Sequence, residues 1–214
     1  GSEMCIRDRD INRHNIAFLQ YGNTMHFVVT NLNDPIVSYD NRTNFVDKMI
    51  INPYSDRTCP CGRRGCVESE LTPSATMSKL REVFSAEKTP FLYEAARGSF
   101  ENVNQDMITM AYEKDDKAVK EILNGELTLL AVLLNNLYFS TNPQKIVLHQ
   151  FKFQNEKAFQ KLKDAVTEIG GALVSSKIEL SIIEDKHRFL SGCALAIRAV
   201  SYTHLRAHET ELHL

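Results

Sequence analysis

Three of the five cysteines fall within eight residues, in Thr58-Cys59-Pro60-Cys61-Gly62-Arg63-Arg64-Gly65-Cys66-Val67-Glu68. Thiolates this close converge on one point only if the chain turns sharply between them, and Gly62 and Gly65 supply the backbone freedom to do so. In a chain without secretory features, Cys-x-Cys-x4-Cys reads as a metal knuckle before it reads as disulfides. A structural zinc ion takes four ligands in a tetrahedron, so Cys59, Cys61 and Cys66 supply three and leave one position open. Water, His26, or a carboxylate such as Asp47 or Asp56 are the candidates for it. The competing reading is a Cys-rich turn that binds nothing, with His26 as an ordinary surface side chain beside a hairpin.

The elements that must hold this knuckle follow from periodicity. Asn15 to Tyr21 and His26 to Asn31 are β-rich runs around Gly22-Asn23-Thr24, which predicts a hairpin. Ile36 to Tyr39 and Lys48 to Asn52 are expected as short strands, with Asn33-Asp34-Pro35 and Asp40-Asn41 as turns. After the knuckle the chain turns helical: Thr72 to Phe84, Thr89 to Ala96 with Gly98 as stop, and Val103 to Tyr112. Asp116 to Thr141 is the longest helical pattern. Its second half is apolar nearly all round, which predicts a core helix covered on several sides. Asn142-Pro143 stops it. A buried strand over Lys145 to His149, a helix from about Glu156 to Glu168, a strand over Ile178 to Ile183 and a closing helix over Ser191 to Ile197 complete the pattern. That alternation predicts an α/β fold with parallel pairing. Cys193, on the last helix, reads as packing.

Composition sets the outer bounds. With 214 residues, 43% hydrophobic and 24% charged, the chain can bury one sizeable core. A net charge of −2 gives no electrostatic basis for nucleic-acid contact by this chain. No apolar run is expected to span a bilayer and the start lacks the shape of a signal peptide, so a reduced cysteine cluster fits the cytoplasm. Both ends look foreign. Gly1-Ser2 resembles a cloning scar, Glu3 to Arg9 resembles a translated transposase sequencing adapter, and Val200 to Thr210 resembles the other adapter strand read through. The expected organisation is a scar and adapter tail over 1–9, natural sequence over 10–199, and an adapter tail over 200–214. His204, His208 and His213 then form no metal site.

The knuckle and its approach, Asn52-Pro53-Tyr54-Ser55-Asp56-Arg57 into Cys59-Pro60-Cys61-Gly62-Arg63-Arg64-Gly65-Cys66-Val67-Glu68, resemble the signature of the ROK family of repressors and sugar kinases. The later half is similar too, in Asn142-Pro143, Ile146-Val147-Leu148 and the Gly192-x-Ala194 helix. The resemblance implies a lobe of the actin-like ATPase (ribonuclease H-like) fold, with 10–199 as a partial ROK domain and 59–68 as its zinc-knuckle-like segment. It implies a sugar-contacting role for Glu68, against the plainer role of a helix N-terminal carboxylate. Lys48 stands at the family histidine that contacts sugar and completes the zinc site, and Phe45 at a family glutamate. An ammonium has no lone pair, so Lys48 cannot ligate zinc while charged; it is either part of a ligand-binding pair with Glu68 or a solvated strand residue.

Two glycine loops of the family's kinases are altered. The Gly-Thr-Gly-type phosphate loop corresponds to Gly22-Asn23-Thr24-Met25-His26-Phe27, where side chains stand in place of bare backbone. The Gly-Gly after Ile146-Val147-Leu148 is His149-Gln150. The first lobe, its Asp-x-Gly-Gly motif and the catalytic Asn-Asp pair have no counterpart here, so no residue is assigned as catalytic. Phosphoryl transfer needs positioned phosphates, metal and base. The expectation is therefore a fragment of a ROK transcriptional regulator: a sugar-effector and dimerisation region, homodimeric, holding structural zinc but not ATP, and reaching DNA only through a domain outside this chain. The alternatives are a ROK sugar kinase with an unusual glycine loop and a lobe that serves dimerisation alone.

Overall fold

A computed structural model describes residues 15–22, 24–31, 43–149 and 156–181. The expected strand at Ile36 to Tyr39, the closing helix with Cys193 and both terminal segments lie outside them. Strands β1 (Asn15–Gln20) and β2 (His26–Asn31) form the expected antiparallel hairpin, with Gln20 opposite His26. A 3-10 turn (Thr43–Lys48) precedes the knuckle. Helices α1 (Val67–Leu71), α2 (Pro73–Val83), α3 (Pro90–Ala95) and α4 (Gln105–Glu113) follow it. The long helix α5 (Lys117–Thr141) then leads to β3 (Lys145–His149), α6 (Glu156–Ser176) and β4 (Ile178–Leu180).

The sheet runs β2-β1-β3-β4. β1 pairs parallel with β3, Ala17 opposite Ile146 and Leu19 opposite Leu148, and β3 pairs parallel with β4. These four residues are buried, while Phe18 between them is exposed, as the two-residue side-chain period of a strand requires. Parallel neighbours need a crossover, and α6 supplies it between β3 and β4.

Helix α5 packs against α1, α2, α4 and α6. Ten of its residues are buried, including Leu123, Leu127, Leu130, Leu133, Leu134 and Leu137, so the all-round apolar pattern reflects cover on several sides. It is also long and apolar enough to cross a membrane, by length and composition, with half of its most apolar window buried. Packing against four helices accounts for that apolarity, as expected of a core helix. Asn142, in the left-handed region at φ 43°, ends it.

Capping matches the sequence signals. Thr72 accepts from the N–H of Ala75 with Pro73 following, and Asn104 accepts from Met107 N–H at 3.0 Å, which starts α4 two residues later than expected. Lys48 to Asn52 is not a strand. The 3-10 turn ends at Lys48, and only Ile50 bridges to Cys66 before the Asn52-Pro53 turn leads the chain away. Helix α6 runs past the expected end at Glu168 to Ser176, with a break at Gly171 (φ 81°, ψ 169°), three residues beyond that end.

One buried polar cluster ties α5 to the helices after the knuckle. The Lys79 ammonium lies 3.2 Å from Glu126 Oε1 and 3.5 Å from Glu70 Oε2, and donates to the Glu70 carbonyl at 2.6 Å. Thr76 Oγ1 also bonds the Glu126 carboxylate, at 2.8 Å. Both glutamates are 95% or more buried, at 3% and 4% exposure. One ammonium therefore serves two buried carboxylates, and removing one partner of such a set leaves uncompensated charge in low dielectric. Lys79→Met is expected to lower stability by about 3–5 kcal/mol, read as a fall in the urea midpoint; an unchanged midpoint would mean the carboxylates do not need the lysine.

Candidate metal centre

The knuckle is built by backbone hydrogen bonds before any side chain acts. Gly62 N–H bonds the Cys59 carbonyl at 2.8 Å and Cys59 N–H the Arg63 carbonyl at 2.7 Å, closing a tight loop. The Gly65 carbonyl accepts from the N–H groups of Ile51 and Asn52, at 2.9 and 3.2 Å, which docks the loop on the segment before it. Gly62 and Gly65 hold φ of +84° and +67°. They differ in what surrounds them: a Cβ at position 62 meets open space, whereas at position 65 it would lie 1.7 Å from the Asn52 carbonyl oxygen. The Cys-Gly-x-x-Gly-Cys spacing thus has a steric cause at its second glycine and a conformational one at its first.

This loop brings together the three predicted cysteines, whose Sγ atoms all lie within 4.8 Å of one another. Cys61 and Cys66 are 3.7 Å apart, Sγ to Sγ. A tetrahedral zinc ion with bonds of about 2.3 Å to sulfur holds its sulfurs about 3.8 Å apart. The donor set and its spacing therefore fit a metal. Cys59 and Cys66 are buried and Cys61 is exposed, all three as free thiols. Burial pushes the Cys59 thiol up to about 12, and it raises Cys66. Cys61 is lowered to about 6, chiefly because the Arg63 side chain donates to its sulfur, Nε to Sγ at 3.4 Å, and the Arg63 backbone N–H adds to this.

Lys48 and Glu68 stand beside the sulfurs and engage each other. The Lys48 ammonium donates to Glu68 Oε2, and this ion pair raises the lysine and holds the glutamate below the usual carboxylate range. Cys59 Sγ lies 3.1 Å from the same oxygen. Glu68 is also in the first turn of α1, as its plainer reading had it. Lys48 is no strand residue in free solvent: it ends the 3-10 turn, and its carbonyl accepts from Arg63 Nη2 at 2.9 Å.

The expected fourth ligands are placed elsewhere. His26 Nε2 bonds Thr24 Oγ1 at 2.9 Å, on the hairpin. Asp47 Oδ1 accepts from Met25 N–H at 2.8 Å, and burial raises its carboxyl while that N–H opposes the rise. Asp56 is exposed, 3.9 Å from Arg64. A carboxylate that does lie against a sulfur is Glu68, beside Cys59; sequence reasoning gave it a sugar contact by resemblance or a helix N-terminal role, and its place two residues after Cys66 was the available signal.

Because Gly65 has no room for a Cβ, Gly65→Ala is expected to cost about 2 kcal/mol or more. Gly62→Ala carries only the left-handed penalty of about 1–2 kcal/mol. Denaturant midpoints measured side by side test the ordering, and equal shifts would contradict it.

The family model described as ROK family matches residues 47–187. No curated protein matches the chain. Solved structures do. A ROK hexokinase from Thermus thermophilus superposes with a TM-score of 0.61 at 12% identity, over 81% of this chain and 53% of that one. A ROK family glucokinase from Streptomyces griseus, in complex with glucose and AMPPNP, gives 0.56 at 14% identity over 75% and 53%. A ROK family transcriptional regulator, a homologue of the E. coli Mlc protein, gives 0.59 at 16% identity over 81% and 42%. The chain spans about half the length of these structures. The likeness establishes the fold, an α/β lobe of the actin-like ATPase type, and it includes kinases and a regulator alike.

Proposed function

Because this chain belongs to the ROK family, we propose that it is part of a sugar-responsive transcriptional regulator and does not phosphorylate sugar. The observation that carries this reading is the turn between β1 and β2. Met25 is fully buried in the core, and its backbone N–H is committed to the Asp47 carboxylate. A phosphate loop needs bare backbone N–H groups pointing at the ligand. Here the side chain after the turn is packed into the core, and the N–H that a phosphate would need is bonded to an internal carboxylate. At the end of β3, the His149 carbonyl accepts from Tyr21 N–H at 2.9 Å, which extends the β1–β3 pairing up to the altered turn.

The effector part of the reading rests on the resemblance. Glu68 and Lys48, the residues it would place against sugar, are paired with each other, so a sugar hydroxyl reaches either one only by competing with that ion pair. DNA contact belongs, in this reading, to a domain outside the chain. A coupled assay with Mg-ATP over hexoses, amino sugars and pentoses is expected to give no rate above the protein-free background. Turnover that tracks the purified protein would return the chain to the kinases.

We also propose that the three cysteines hold structural zinc. Its support is the sulfur spacing described above; when bound, the ion would cross-link the loop and hold it closed. Elemental analysis of protein purified without chelator is expected to give close to one zinc per chain, falling on Cys61→Ser. Metal-free protein with all three knuckle thiols titratable would overturn it.

A further inference from the structure

We propose that Cys61 and Cys66 are a peroxide-sensitive dithiol, which closes to a disulfide and thereby dismantles the knuckle as a metal site. The loss of metal rests on the zinc reading; the disulfide itself does not.

Access selects the first sulfur. Cys61 is exposed, whereas Cys59 and Cys66 are buried, so a small oxidant in solvent meets Cys61 first. The thiolate is the form that attacks. Arg63 Nε donates to the Cys61 sulfur at 3.4 Å and supports that charge.

Proximity selects the second. Cys66 Sγ lies 3.7 Å from Cys61 Sγ, and an S–S bond of about 2.05 Å requires the two to close by about 1.6–1.7 Å. Cys66 is the fixed partner: it bridges to Ile50, and the N–H of Val67 bonds the Met49 carbonyl at 2.9 Å. Cys61 has the room to move, because a Cβ on the adjoining Gly62 meets open space. Cys59 is the competitor for Cys61. Its thiol donates to Glu68 Oε2 at 3.1 Å, so an attack by Cys59 must first break that bond.

The chemistry balances in two steps. The Cys61 thiolate attacks one oxygen of hydrogen peroxide: an S–O bond forms, the O–O bond breaks and hydroxide leaves. The sulfur becomes a sulfenic acid as the peroxide is reduced. The Cys66 sulfur then attacks the Cys61 sulfur: S–S forms, S–O breaks, and the departing hydroxide leaves as water with the Cys66 proton. Where Cys66 was bound to metal, that proton comes from solvent. Of three thiolate ligands only Cys59 remains, too few for a structural zinc site, and the ion is released.

The test treats the full chain, purified without chelator, with hydrogen peroxide in small excess. Free thiols are then alkylated, and tryptic peptides are mapped by mass spectrometry without reduction. Trypsin cuts at Arg63 and Arg64, between the two cysteines, so the bond is read as a cross-link between two peptides. The expected product joins Cys61 to Cys66 with Cys59 alkylated. Zinc is expected to pass to a chelating dye in step with the cross-link, and a dithiol reductant with added zinc to restore it. Cys59→Ser should still form the bond, and Cys66→Ser should leave Cys61 as a sulfenic acid trapped by dimedone. A disulfide to Cys59 as the main product would overturn the pairing, and zinc retained on cross-linked chain would overturn the release. A zinc-loaded chain whose Cys61 and Cys66 both remain alkylatable would overturn the dithiol and leave the zinc reading intact. A zinc-free reduced chain that still forms the cross-link would overturn the zinc reading and leave the dithiol.

Discussion

The ammonium of Lys79 is the contact on which the rest of the fold depends. It joins Glu126 on the core helix to Glu70 on the short helix that leaves the knuckle. Apolar packing alone would let α1 and α2 slide over the leucines of α5, because hydrophobic contact is non-directional. A buried ammonium between two carboxylates is not indifferent to position: a displacement of a few ångströms leaves charge unpaired in low dielectric. The Tyr21 hydroxyl, which donates to the Leu71 carbonyl, brings the end of β1 to the same place. Sheet, knuckle and core helix therefore meet at one polar junction inside an otherwise apolar core.

Charge also organises the knuckle, in a different way. Its sulfurs are flanked by Lys48 and Arg63 and by one carboxylate, Glu68. With neutral thiols this group carries excess positive charge, and with thiolates it carries excess negative charge. A divalent cation brings the second state to balance. The two cations are thus the charge partners of the sulfurs and of Glu68.

Much of this was legible in the residues. Period-two runs located β1, β2 and β3, the all-round apolar run located α5, and Thr72-Pro73 and Asn142-Pro143 marked helix ends, because capping and backbone preference act locally. The three cysteines were legible for the same reason: their convergence is decided within eight residues. What was not legible depends on distant partners. Lys48 to Asn52 has strand composition, but its carbonyls and amides are taken by Gly65 and Val67 across a turn. Asp47 was a candidate ligand until Met25, 22 residues earlier, claimed its carboxylate. Glu68 was assigned by resemblance to sugar, whereas its neighbours Lys48 and Cys59 come from separate segments of chain.

The altered positions bear on whether this lobe has decayed or been rebuilt. A site that merely loses its function leaves substituted side chains without partners, and the usual marks are orphaned buried polar atoms and strain. Among the described residues, the buried side-chain oxygens without a partner are on Glu70, Asp116 and Asn135. None belongs to the turn between β1 and β2 or to the knuckle. Met25 is packed at 0% exposure, its N–H is bonded to Asp47, His26 is bonded to Thr24, and Lys48 is paired with Glu68. At Met25, His26 and Lys48 the substituted residue has a partner that fits its chemistry. Mutual fit of this kind among residues from several segments is what a folded sequence with consistent local and global preferences looks like. At these positions the departures from the kinase pattern are therefore packed and hydrogen-bonded parts of the same lobe.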